Sequence, residues 1–329
     1  MPRGPQRNMK GDNSAPAVKV VATHPDPEAW PAYAKEWFRR VFFTKDICYF
    51  AAYAAAFGAY VYSTEAAPRD MLNGKGMLVS AGARAALSVV FAVVALVTLW
   101  IDLYMATAPE PHDRKWNLVG RGFGGHFCFL TVHIVTTWAY YWPICAVAEV
   151  LRWQHGSADG WVGVTITAMY RFAVLSSSLG TVLTLLFLKF NWFEAAWRRD
   201  VLDMYEARGK WLFRYKILFT HLNQLPIAMF DCVVLKQTHG GLLTHVTPSV
   251  STLLTITVAY CVVYLLFTHA NYRFNTNVYP YPFMDKLFAQ WSSELAFVTG
   301  LVVFVFANVF AYRTIAVESR YVEKLFLGA

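Results

Sequence analysis

WLFRYKILFTHLNQLPIAMFDCVVL, Trp211 to Leu235, is apolar enough to cross a membrane, yet it carries His221, Asn223, Gln224 and Asp231. Ionisable and amide side chains at membrane depth are costly unless they are paired or face water. A helix that holds four of them is expected to line a cavity, which makes His221 the first candidate for chemistry. The plainer alternative is a packing histidine bonded to a neighbouring helix.

The rest of the chain fits that membrane setting. Of 329 residues, 57% are hydrophobic, 17% aromatic and only 15% charged. Soluble domains carry about 25% charged residues. Mean hydropathy is +0.35. The net charge of +8 does not indicate nucleic acid, because the basic residues cluster between apolar runs. Such clusters report topology instead. Cys48, Cys128, Cys145, Cys232 and Cys261 lie in or beside apolar segments, with no CxxC pair, which argues against a disulfide framework or a zinc site.

Seven apolar segments are read as spans: 47–62, 85–105, 126–150, 171–190, 211–235, 253–268 and 295–312. Each is near the ~20 residues that cross ~30 Å of hydrocarbon, the first and sixth being short for it. Lys and Arg divide 20 to 9 between alternate connecting segments, the larger share lying on the side of the N-terminus. That split predicts a cytoplasmic or matrix N-terminus. The expectation is an all-α, polytopic transmembrane helix bundle of about seven spans with a polar N-terminal arm. Residues 1–45 form the arm, with an interfacial helix near Ala29–Phe43. Residues 46–118 hold two transmembrane helices, 119–312 the main bundle and 313–329 a short tail. No apolar stretch directly follows Arg3, Arg7 and Lys10, so the start does not read as a secretory signal; Pro2 and Pro5 oppose a mitochondrial presequence helix.

In that topology Thr131 lies about five residues into the third span and His221 about ten into the fifth, both from the inner side. At 1.5 Å per residue both are roughly 8–15 Å deep. His269 and the loop Val278–Phe283 reach the same face, while Glu149, Arg152, His239 and His245 belong to the other. A threonine hydroxyl needs a base within hydrogen-bond reach to act as a nucleophile, and neutral imidazole serves near pH 7. Other readings stay open. Threonines in membrane helices commonly bond the preceding turn. His126 and His133, flanking Thr131, fit interfacial or core roles. Clustered histidines can bind a metal, although no HxxxH or HxxH pair exists. No metal and no cofactor is assigned.

The stretches FCFLTVHIVTTWAYYW (Phe127–Trp142), YRFAVLSSSLGTVLTLLFL (from Tyr170), HLNQLPIAMFD (from His221) and YCVVYLLFTHANYRFNTNVYPYPFMDKL (from Tyr260) occur in order. Together they resemble the androgen-induced/androgen-dependent transmembrane hydrolases, which cleave fatty acid esters of hydroxy fatty acids. The resemblance covers roughly residues 120–312. It implies Thr131 as nucleophile and His221 as catalytic histidine, and His269 matches a histidine of the family's penultimate helix. It also implies a lipid-ester substrate met in the bilayer. Apart from the resemblance, Asn223 or His269 is expected to orient the base or the developing oxyanion, with Tyr281 in support. Here Pro280 stands before Tyr281-Pro282-Phe283, where the family usually has Trp, and an extra N-terminal span and arm are present. The rival expectation is a non-catalytic accessory subunit of a larger membrane assembly, such as a mitochondrial respiratory or ATP synthase complex, with the arm as its docking element. Endomembrane or plasma membrane is the expected location, the mitochondrial inner membrane the alternative. A transporter is disfavoured, because the chain lacks an internal repeat and paired Gly/Pro-broken helices.

Overall fold

The computed structural model describes residues 46–76, 78–107, 124–193, 218–239, 241–277 and 279–281, with single positions 284, 295, 298, 299, 302, 321, 324 and 325. The arm, where an interfacial helix was expected, and most of the seventh span and of the tail lie outside the described residues. Among these, every long element is a helix; β structure is limited to one bridge between Gly76 and Thr238. The helices are α1 (Asp46–Tyr62), α2 (Arg69–Leu72), α3 (Ala81–Thr107), α4 (Leu130–His155), α5 (Trp161–Phe193), α6 (Gln224–Phe230), α7 (Leu242–Val246) and α8 (Val250–Asn271).

Among the described residues four helices are long and apolar enough to cross a membrane: Ala81–Asp102, Leu130–His155, Trp161–Leu185 and Val250–Phe274. In lipid a helix satisfies its own backbone, and the outward faces match that solvent. Val89, Val90, Val93, Val97 and Trp100 on α3 are exposed, as are Leu254, Ile256, Val263 and Leu266 on α8. The inward face of α3 is instead small: Ala85, Ser88, Ala92 and Ala95 are buried, so its backbone comes close to α4.

The helix ends differ from the sequence expectation, most of all at the start of the fourth span. The fourth span begins at Trp161, ten residues before Arg171, and Arg171 is an exposed residue inside α5. A long basic side chain can lay its stem on apolar surface and carry its charge outward, so it does not end a helix. The sixth span is a 22-residue helix, long enough to cross. α1 has 17 residues, about 25 Å of helix.

Connections alternate between two ends of the bundle. At one end Arg69 pairs with Asp159 (3.0 Å), Ala158 N–H donates to Asn73 Oδ1 (3.0 Å) and His239 N–H to Lys75 O (2.9 Å). At the other His126 pairs with Asp46 (2.9 Å) and Gly124 N–H donates to Asn271 Oδ1 (3.0 Å). Arg84, Arg152 and Lys236, which composition alone counts as loop charges, are buried near the first end. Arg84 Nε is 3.0 Å and Arg152 Nη1 3.8 Å from Glu149 Oε2; Lys236 Nζ is 2.7 Å from Asp231 Oδ1. All three fall in the connecting segments with the smaller share of basic residues, so setting them aside widens the charge split.

Candidate active site

The second end of the bundle holds the entry to α4. Gly124 and Gly125 make the turn into it. A Cβ on Gly124 would sit 2.5 Å from Cys128 Sγ, and Gly125 has φ +52°. Phe129 is extended (φ −95°, ψ 126°), so the helix starts at Leu130 and Thr131 is its second residue. First-turn N–H groups have no intrahelical acceptor. Leu130 N–H donates to the Tyr281 hydroxyl at 2.8 Å.

Several aromatic hydroxyls hold this segment. Tyr264 donates to Cys128 O at 2.8 Å. His133 Nε2 bonds Phe127 O, and its Nδ1 faces the hydroxyls of Tyr53 and Tyr260 (3.1 Å to the latter). A carbonyl only accepts, so Nε2 carries a proton and donates. His133 thus braces this segment. His126, the other flanking histidine, grips the Asp46 carboxylate at the start of α1.

His221 comes from Leu218–Leu222, a π-helical turn, which is a device common at functional sites. Pro226 supplies no N–H to the carbonyls four and five residues back, those of Leu222 and His221. The His221 carbonyl accepts from the Thr184 hydroxyl instead. The ring stacks on Phe187, with centroids 4.2 Å apart.

Thr131 Oγ1 lies 3.3 Å from His221 Nε2, across 90 residues of sequence. His221 Nδ1 lies 2.6 Å from Thr220 Oγ1. Tyr281 hydrogen-bonds Thr131 as well as the Leu130 amide. Burial pushes the Tyr281 hydroxyl up to about 12, against the opposing pull of those bonds. The arrangement gives a hydroxyl, an imidazole with its far nitrogen occupied, and a phenol over a helix N-terminus. Groups of these kinds at such spacing are ones that acyl-transfer chemistry can use.

The structure therefore brings Thr131, His221 and Tyr281 together. His269 bonds the Tyr279 hydroxyl at 2.8 Å, and Tyr279 stacks on Tyr272 (4.3 Å), bracing the loop that delivers Tyr281. Asn223 sits where the π-turn passes into α6, and its carbonyl accepts from Ile227 N–H at 3.0 Å. Thr220 and Tyr264 were not singled out from sequence. Only Thr220 carried a signal there, its adjacency to His221. Among the described residues no group of three metal-ligating side chains forms. No family model, curated protein or solved structure matches the chain.

Proposed function

We propose that this chain is a multi-pass membrane hydrolase of lipid esters, of the kind implied by the resemblance to the androgen-induced/androgen-dependent enzymes. The observation that carries the reading is the 3.3 Å approach of Thr131 Oγ1 to His221 Nε2. Resting catalytic pairs are often this loose and tighten on substrate. The bundle is read as seven spans with a polar N-terminal arm on the cytoplasmic or matrix side, in an endomembrane or the plasma membrane.

Thr131 Oγ1 attacks the ester carbonyl carbon as His221 Nε2 takes its proton. The tetrahedral centre collapses, the ester C–O bond breaks, and His221 returns the proton to the departing alcohol. Water then adds to the acyl-threonine with the same base, releasing the acid and restoring Thr131. Thr220 steadies the imidazole from Nδ1. Tyr281, a neutral phenol at working pH, donates to the developing oxyanion. Its oxygen accepts from the Leu130 amide, which makes its O–H the stronger donor.

The test is purified protein in lipid nanodiscs, given a fatty acid ester of a hydroxy fatty acid and, separately, a fluorophosphonate probe. Wild type should cleave the ester and take the probe; Thr131→Ala and His221→Ala should each do neither, with unchanged elution and helicity. Because members of one catalytic unit are not additive, the double variant should be no worse than either single one. Wild-type protein that takes no probe and cleaves no ester would return the chain to the accessory-subunit reading.

A further inference from the structure

Exposed tryptophans mark one edge of the bundle. Trp153, near the end of α4, and Trp161, at the start of α5, are both exposed. Asp159, just before Trp161, pairs with Arg69 in the open. Tryptophan gathers where hydrocarbon meets headgroups. α3 starts at the same level, since a Cβ on Gly82 would lie 3.2 Å from Trp153 Nε1.

The catalytic pair lies a full membrane away from that edge. Along α4, Thr131 is roughly 33 Å from Trp153. Along α5, Thr184 and Phe187, which both meet His221, are roughly 34 and 39 Å from Trp161. The hydrocarbon core is only ~30 Å thick. Two helices thus independently set the pair at the opposite boundary. That boundary has its own markers. Arg273 and Phe274, just past α8, are exposed, and so is Trp100 on α3. The partly exposed Asp46–His126 pair is there too. From Asp46, Tyr53 is roughly 10 Å inward along α1 and reaches His133. Thr131 precedes His133 by two residues and is shallower still. Both Thr131 and His221 are half-buried, so neither is sealed from its surroundings.

We propose that Thr131 and His221 work at the headgroup boundary of one leaflet, on a branched lipid acid whose ester lies close to its carboxylate; this rests on the hydrolase reading. A carboxylate stays among the headgroups, because charge in hydrocarbon is costly. Its alkyl chain runs inward. An ester a few carbons along then meets Thr131 with both chains lying in the bilayer. A mid-chain ester is drawn deeper, and its chain must fold back to reach the pair. The same level brings water to the acyl-threonine, which the second half of the reaction needs.

Two measurements on the full chain in nanodiscs test this. In the first, bimane is attached at Leu185→Cys or at Val93→Cys in a Cys48→Ser background. It is then quenched by lipids carrying a nitroxide on the fifth or the twelfth carbon. Both positions are exposed, so labelling should spare the fold. Leu185 adjoins Thr184 at the level of His221, and Val93 is roughly 16 Å along α3 from Gly82, near mid-membrane. Leu185→Cys should be quenched more by the fifth-carbon nitroxide, Val93→Cys more by the twelfth. In the second, palmitate esters of stearic acid hydroxylated on the third or the twelfth carbon are compared by kcat/KM. Wild type should favour the third-carbon ester by about tenfold or more, since misplacing a reacting carbon readily costs that much. Shallow quenching with neither ester cleaved would sink the hydrolase reading and the ester preference with it, leaving the depth alone. Leu185→Cys quenched like Val93→Cys, equal rates on the two esters, or a preference for the twelfth-carbon ester would overturn the proposal while the hydrolase reading stands.

Discussion

Thr220 Oγ1 lies 2.6 Å from His221 Nδ1, on the ring nitrogen opposite the one that faces Thr131. In the tautomer the proposed reaction needs, Nδ1–H donates to Thr220 Oγ1 and the Nε2 lone pair is left for Thr131. Thr220→Val should lower kcat/KM on the lipid ester by about tenfold, one hydrogen bond's worth. Thr220→Ser should restore most of the loss. If Val behaves like Ser, the Thr220 hydroxyl is not setting the tautomer.

Tyr281→Phe removes one hydroxyl beside Thr131 and keeps the ring that meets Phe129 edge-on at 6.0 Å. If that hydroxyl serves the oxyanion, kcat should fall by about 10²-fold or more, with KM little changed. Its alkaline behaviour is a second check. The folded value, about 12, is raised above the ordinary 10.0. The stability of the neutral phenol is therefore whole below about pH 10 and is lost as pH climbs toward 12. Wild-type kcat should show no alkaline limb from Tyr281 below pH 10. A Tyr281→Phe enzyme with native kcat would remove the phenol from the mechanism.

Thr131 and His221 were legible because each stands out in an apolar helix and the topology gives both a similar depth. Thr220 was not. Thr98, Thr165, Thr167 and Thr181 all bond the carbonyl four residues back, and sequence alone gives Thr220 the same ordinary role. Helix existence was legible from hydropathy, while the start of α5 was obscured by treating Arg171 as a boundary. The pairing of Arg84 with Glu149 spans 65 residues, so nothing local distinguishes Arg84 from a loop charge. Pro226 was visible, but the π-turn that presents His221 depends on Thr184 from another helix.

Seven spans require the termini on opposite sides. Cys48 is exposed and the other four cysteines are buried, so a Cys48→Ser background suits single-site labelling. Ser14→Cys and Gly328→Cys should react with an impermeant maleimide from opposite faces of sealed vesicles, Ser14→Cys from the side of the basic loop 189–216. Labelling from the same face would remove one span from the count.

The buried charges offer the sharpest test of packing. Among the described residues Arg84, Arg152 and Lys236 face two carboxylates, Glu149 and Asp231, and Arg84 Nη1 and Arg152 Nη1 make no hydrogen bond. Tyr170 donates to Glu149 at 3.2 Å, Tyr141 donates to Asp231, and Lys236 lies 5.1 Å from the centroid of the Tyr170 ring, linking the two pairs. With one positive charge in excess, losing a carboxylate worsens the imbalance and losing a cation relieves it. Asp231→Asn and Glu149→Gln should each destabilise by about 3–5 kcal/mol, as expected for a buried charge stripped of its partner. Arg84→Met should destabilise less, because Glu149 keeps Arg152 and the apolar stem is retained. The double variant Asp231→Leu/Lys236→Met should recover much of the single Asp231 loss, since it buries no unpaired charge. Thermal unfolding in mild detergent gives the ranking, and an Arg84→Met midpoint below that of Glu149→Gln would refute the charge-excess account.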